Sequence, residues 1–96
     1  MKPSQLLQAH RDQIRRIIEN RRVRNPRVFG SVARGEDTED SDLDILVDPT
    51  AETTLFDIGA IRHELGLLLG VQVDVLTPKG LPQTLRDRVL AEAVSV

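Results

Sequence analysis

Asp42 and Asp44 stand two residues apart at the start of the run DLDILVD, residues 42–48. In an extended strand, residues two apart project from the same face. The two carboxylates would then lie side by side, with Leu43 and Ile45 anchoring the opposite face. Adjacent carboxylates repel unless a cation lies between them or one is protonated. Mg²⁺ prefers oxygen ligands and is commonly held by one or two carboxylates plus substrate phosphates. Asp74 lies in the apolar run VQVDVL. An aspartate there is unfavourable for folding unless its face meets a charged site. If the two strands are neighbours, Asp74 completes a three-carboxylate cluster. Such a cluster can hold two metals about 4 Å apart, which stabilise the attacking and leaving oxygens of an in-line displacement. The structural alternative makes Asp42, Asp44 and Asp48 the solvated side of an edge strand, and an Asp-x-Asp pair alone does not separate the two.

Upstream, Gly30-Ser31 follows the apolar pair Val28-Phe29. Glycine lets a backbone approach a phosphate closely. A short helix beginning at Ser31 would turn free N–H groups and the Ser31 hydroxyl toward a phosphate-sized anion. Arg34, one turn further on, can neutralise developing pyrophosphate charge, and Gly35 permits the turn out. There is no Gly-x-x-x-x-Gly-Lys, so this is not a P-loop. The plain alternative is a turn with an incidental serine.

The elements that must position these residues follow from periodicity. Leu7, Ile14 and Ile18 recur at helical spacing and predict a helix over 4–23, with Ser4 as N-cap. His10 shares the face of Leu7 and Ile14 and reads as packing or a protein contact. Asn25-Pro26 breaks the helix, because the residue before proline avoids helical angles. Arg27-Val28-Phe29 then predicts a short strand, residues 31–35 a turn or small helix, and 36–41 a polar loop. Residues 42–48 alternate as a strand ended by Pro49. Leu55, Ile58, Ile61, Leu65 and Leu68 predict a helix over 54–69, with Gly70 terminating it and His63 on its surface. Residues 71–76 predict a third strand, and 77–80 a turn. Pro82 suits the first turn of a last helix over 82–94, with Leu85, Val89, Leu90 and Ala93 inward. The order is that of one α/β sandwich over residues 1–96.

Composition bounds the function. Seven arginines lie between Arg11 and Arg27, and seven carboxylates between Glu36 and Asp48, so two surfaces of opposite charge are expected. The net charge of −2 does not favour nucleic acid. Phe29 and Phe56 are the only aromatics, too few for a base-stacking platform. The absence of cysteine excludes disulfides and thiolate metal sites. No apolar run has the length of a membrane span or the form of a signal peptide. A cytoplasmic protein without direct nucleic-acid binding is the expectation.

Gly30-Ser31, ten residues and then Asp42-Leu43-Asp44 resembles the signature of the DNA polymerase β-like nucleotidyltransferases. The longer string GSVARGEDTEDSDLDILV resembles the minimal nucleotidyltransferases, MNT proteins, many of which are antitoxins to HEPN-domain ribonuclease toxins. The likeness extends over the first helix, the strand VQVDVLTP and the closing LAEAVSV. It implies an α/β (α+β) fold, a short mixed sheet flanked by helices. It implies that Gly30 and Ser31 bind the NTP triphosphate, and that Asp42, Asp44 and Asp74 hold two Mg²⁺ ions, with Mn²⁺ as an alternative. Asp74 would also help deprotonate the acceptor hydroxyl. Arg34 and Ser41 belong to the string around the nucleotide. The implied reaction transfers AMP from ATP to a tyrosine hydroxyl of a HEPN partner, encoded by the adjacent gene, with release of pyrophosphate.

Two other readings use the same residues. The protein could neutralise a partner by masking it, without catalysis, through its arginine-rich first helix and exposed apolar side chains. It could also be the catalytic subunit of a small-molecule nucleotidyltransferase. The larger members carry a substrate domain, for which 96 residues leave no room.

Overall fold

In the computed structural model, which describes residues 1–96, the N-terminal segment folds as two helices, α1 (Pro3–Ala9) and α2 (Arg11–Glu19). One continuous helix was expected. The chain breaks at His10, whose φ of −122° and ψ of 22° leave the helical region. Its Nδ1 lies 2.7 Å from Gln13 Oε1. Ser4 is not the cap. Pro3, with its fixed φ, takes the first helical position, and the Ser4 N–H donates to the Asp37 carboxylate at 2.8 Å. Leu7, Ile14 and Ile18 still reach the core, so the break bends the apolar stripe without dispersing it.

Strand β1 (Val23–Phe29) begins earlier than expected and runs through Pro26. Its pairing with the next strand shifts register between Arg24 and Arg27, and Asn25 takes a φ of 54°. That bulge is what lets a strand carry a proline, which cannot donate to the ladder. Gly30–Arg34 forms the short helix α3, closed by Gly35 in the left-handed region. Strand β2 (Leu43–Pro49) leads to α4 (Leu55–Leu69). Thr54 and Asp57 cap α4 reciprocally: Thr54 Oγ1 accepts from the Asp57 N–H, and Asp57 Oδ2 from the Thr54 N–H. Gly70 ends the helix at φ 68°. Strand β3 (Val73–Leu76), a 3₁₀ turn (Pro78–Gly80), α5 (Gln83–Glu92) and β4 (Val94–Ser95) complete the chain.

The sheet order is β3-β2-β1-β4. Strand β1 is antiparallel to both neighbours, whereas β2 and β3 are parallel, with α4 as their crossover. The sheet is therefore mixed, as expected, but carries a fourth strand that the sequence did not reveal. The last helix stops at Glu92; Val94, expected to prolong it, pairs instead with Val28, and Ser95 pairs with Arg27.

Period-2 alternation sorts the side chains between two faces. Leu43, Ile45, Val47, Val73 and Val75 join α1, α2 and α4 in the main core. Phe29 and Leu46 face the other way and pack with Leu81 and Val89. Helix α5 covers that second face through Val89 alone. Leu85 and Leu90, expected inside, are exposed because no further layer lies above this helix. Leu55, expected in the α4 stripe, is 90% exposed, and the buried positions of that helix are Asp57, Ile61, Leu65 and Leu69. No helix is long and apolar enough to cross a membrane.

Candidate active site

Asp44 and Asp74 are direct partners across the parallel β2–β3 ladder. Their side chains share a face, because the flanking Leu43, Ile45, Val73 and Val75 all enter the main core on the opposite side. Asp42 is exposed and lies just before β2. The strand arrangement thus sets Asp44 directly against Asp74 at the N-terminal ends of two parallel strands, with Asp42 near enough for its charge to act on Asp44.

The same end of the sheet receives the Gly30-Ser31 turn. Phe29, the last residue of β1, pairs with Asp44, so the chain turns into α3 directly beside that carboxylate. Gly30 has a φ of +70°, and a Cβ placed on it would collide with Asp44 Oδ2. Glycine is required twice over, for the left-handed backbone and for the close approach. Ser31 is half-buried in the first turn of α3.

Electrostatics mark the cluster. Burial pushes the Asp44 carboxyl up, and the neighbouring Asp74 and Asp42 charges push it further, to about 6. Arg34 opposes this shift. The negative charge at Asp44 is therefore not fully offset within the chain. The donors are all carboxylate oxygens, which suits a hard divalent cation. No three acidic or histidine side chains close into a ready-made metal-binding cluster. Mg²⁺ commonly relies on one or two carboxylates and completes its shell with substrate phosphates and water.

Arg34 Nε donates to Glu36 at 3.1 Å, and Arg34 Nη1 donates to both carboxylate oxygens of Glu92 at 3.3 and 3.1 Å. These contacts hold the guanidinium pKa above its ordinary value. Ser41, expected near the nucleotide, accepts a hydrogen bond from the Thr38 N–H at 2.8 Å and braces the loop that delivers Asp42.

Sequence reasoning missed Glu92. Its Oε1 accepts from the Gly30 N–H at 3.1 Å, besides pairing with Arg34. A signal did exist: a carboxylate at a helix C-terminus opposes the helix dipole, so it needs a cation nearby. Asp37, read as part of a polar loop, is in fact buried and tethers that loop to α1 through Ser4. None of the three aspartates lines a cavity of the molecule; the largest, about 430 Å³, lies along α4 and β3 beside Gly59, His63 and Val73. The site is open to solvent rather than enclosed.

A family model for the nucleotidyltransferase domain matches residues 10–96. Protein adenylyltransferase MntA of Thermococcus cleftensis is 40% identical, over 95% of this chain and 89% of its own length. A protein of Methanocaldococcus jannaschii, provisionally named a protein adenylyltransferase, is 42% identical over 83% of this chain and 86% of its own. A solved structure assigned provisionally as a minimal nucleotidyltransferase superposes with a TM-score of 0.86 at 42% identity, covering 97% of this chain and 95% of that one. A toxin-antitoxin crystal structure with AMP-PNP shares the fold, with a TM-score of 0.74 at 19% identity over 88% of this chain and 69% of that one. With the paired aspartates and the glycine-serine turn at one end of the sheet, the chain belongs to the nucleotidyltransferase family, as an enzyme of the minimal type.

Proposed function

We propose that this enzyme is an antitoxin that transfers AMP from ATP to a tyrosine hydroxyl of a HEPN-domain toxin encoded beside it. The observation that carries the chemistry is the placement of Asp44 and Asp74 in register beneath the Gly30 turn. The choice of a protein acceptor rests on the relatives named protein adenylyltransferases, which this chain matches over most of its length. The shared fold of the toxin-antitoxin structure agrees with it. An open site on a small chain also suits an acceptor delivered by a partner. A cytoplasmic location follows from that partnership.

In this reading the Gly30-Ser31 turn holds the triphosphate, and Arg34 offsets charge on the departing pyrophosphate. Asp42 and Asp44, joined by Asp74, would hold Mg²⁺, with Mn²⁺ an alternative donor-compatible ion. When bound, the metal would screen phosphate charge and stabilise the attacking and leaving oxygens. The acceptor oxygen attacks the α-phosphorus in line, and a new O–P bond forms. The bond from the α-phosphorus to the oxygen bridging to the β-phosphate breaks, and pyrophosphate leaves with that oxygen. Asp74 takes the hydroxyl proton. Ser41 contributes indirectly, by fixing the loop before Asp42.

Position-labelled ATP tests the reaction. Label on the α-phosphorus passes to the partner and label on the γ-phosphorus does not. Transfer of the γ-label would mean phosphoryl transfer and sink the proposal.

One observation favours a second reading, neutralisation by masking. Phe56 and Leu67 on α4 are 76% and 74% exposed, and with Leu55 they leave apolar surface uncovered. Masking needs at least equimolar antitoxin and survives loss of the aspartates.

A further inference from the structure

Glu92 ends α5, where its charge faces the negative end of the helix dipole. What offsets that placement is the set of donors around it. Oε1 accepts from the Gly30 N–H at 3.1 Å and from Arg34 Nη1 at 3.3 Å, and Oε2 accepts from Arg34 Nη1 at 3.1 Å. The Glu92 side chain is only 18% exposed and its bond from the Gly30 N–H is part-buried, whereas the Arg34 guanidinium reaches solvent. Burial pushes the Glu92 carboxyl up, but hydrogen bonds from Gly30 and Arg34 prevail and hold it below its ordinary value; it is a full anion at neutral pH. The Arg34 guanidinium is shared further with Glu36.

The Gly30 amide and the Arg34 guanidinium are the groups assigned above to the triphosphate. Both are already engaged by a carboxylate of the chain itself. Glu92 also places a negative charge beside the groups that would meet the triphosphate. We propose that Glu92 is an internal competitor for the triphosphate, holding the Gly30 amide and Arg34 until phosphate oxygens displace it. The inference rests on the nucleotide-binding reading of the preceding section. It makes Glu92 an affinity-setting residue of that site, whose departure is part of nucleotide binding.

A purely structural brace behaves in the opposite way. If Glu92 only held α3 in place, weakening its contacts would loosen the phosphate turn and weaken nucleotide binding. If it competes, removing its charge weakens its hold on two donors and reduces repulsion, so binding tightens. Glu92→Gln keeps the side-chain shape and removes the charge. Glu64→Gln removes the same charge from a pair with Arg21, which ties α4 to the chain beyond α2 and away from the site.

Calorimetric titration with AMP-PNP and Mg²⁺ compares the 96-residue parent with both variants. We expect Glu92→Gln to tighten binding about tenfold, the scale of a lost charge-assisted competitor, and Glu64→Gln to leave it near the parent value. Unchanged or weaker binding by Glu92→Gln, with the parent still binding, overturns the competition and leaves the nucleotide site standing. No binding by parent or variant overturns both. The parent alone supplies a second reading, should the variant fail to fold. In NMR spectra at nucleotide saturation, the Gly30 amide and the Glu92 side-chain carboxyl carbon should shift together. A carboxyl resonance that stays in place would overturn the proposal.

Discussion

Asp44 is half-buried beside Asp74, and burial together with the Asp74 and Asp42 charges pushes its carboxyl up to about 6. That shift has a consequence for stability. Between about pH 4 and pH 6 the folded chain binds a proton at Asp44 that the unfolded chain has released. On this group's account the metal-free protein therefore loses stability as pH rises through that window, and the loss is complete above it. Asp37 and Glu92, held below their ordinary values, act in the opposite sense and lose stability as pH falls. Comparing Asp44→Asn with the parent cancels their share. In metal-free buffer at pH 7 we expect the variant to be more stable by about 1–2 kcal/mol, after discounting a half-exposed group for solvent screening. The gain should vanish near pH 4 and shrink on adding Mg²⁺. Thermal melts across pH check this. A variant no more stable than the parent at pH 7 would mean that the carboxylates do not strain one another.

Two glycines separate a backbone requirement from a site requirement at the scale of the element. Gly30 and Gly70 adopt almost the same left-handed φ, +70° and +68°. A Cβ at Gly70 meets nothing within 4 Å, whereas one at Gly30 runs into the Asp44 carboxylate. Alanine at either position should cost about 1 kcal/mol, from the left-handed backbone alone. Only Gly30→Ala should also lower nucleotidyl transfer, by about a hundredfold, since the displaced Asp44 no longer sits in its reacting geometry. Denaturant unfolding and initial rates measure the two effects separately. Equal activity for the two variants would contradict the close approach of α3 to β2. Legibility in the sequence divides along the same line. Alternation exposed β2, because short-range periodicity determines it, and the candidate site was legible through the likeness of the Gly30-Ser31 and Asp-x-Asp string to the family signature. The break at His10, the bulge around Pro26 and the pairing of β4 were not legible. Each is set by tertiary contact: Asp37 fixing α1, Asp48 engaging both Asn25 and Arg27 across the sheet, and β1 offering an edge to Val94 and Ser95. Glu92 escaped for the same reason, lying 62 positions from the amide it binds.

The molecule as a whole is one sheet with helices covering one face fully and the other in part. The main core closes over the first face. On the second, α5 shields only Phe29, Leu46 and their neighbours, and leaves Asp44 and Asp74 at an open end. This division of the two faces explains how so short a chain can form a hydrophobic core and still present a reactive site. It also separates the functional readings, because catalysis and masking make different demands on the amount of protein. The most direct test mixes the purified protein, well below equimolar, with the product of the adjacent gene, ATP and Mg²⁺, and takes intact masses of both chains. The account predicts that the partner gains whole AMP units on every copy, although enzyme is scarce, and gains none when Asp42→Asn and Asp44→Asn are combined. A partner silenced only at equimolar amounts, with unchanged mass and by the double variant equally well, would contradict it.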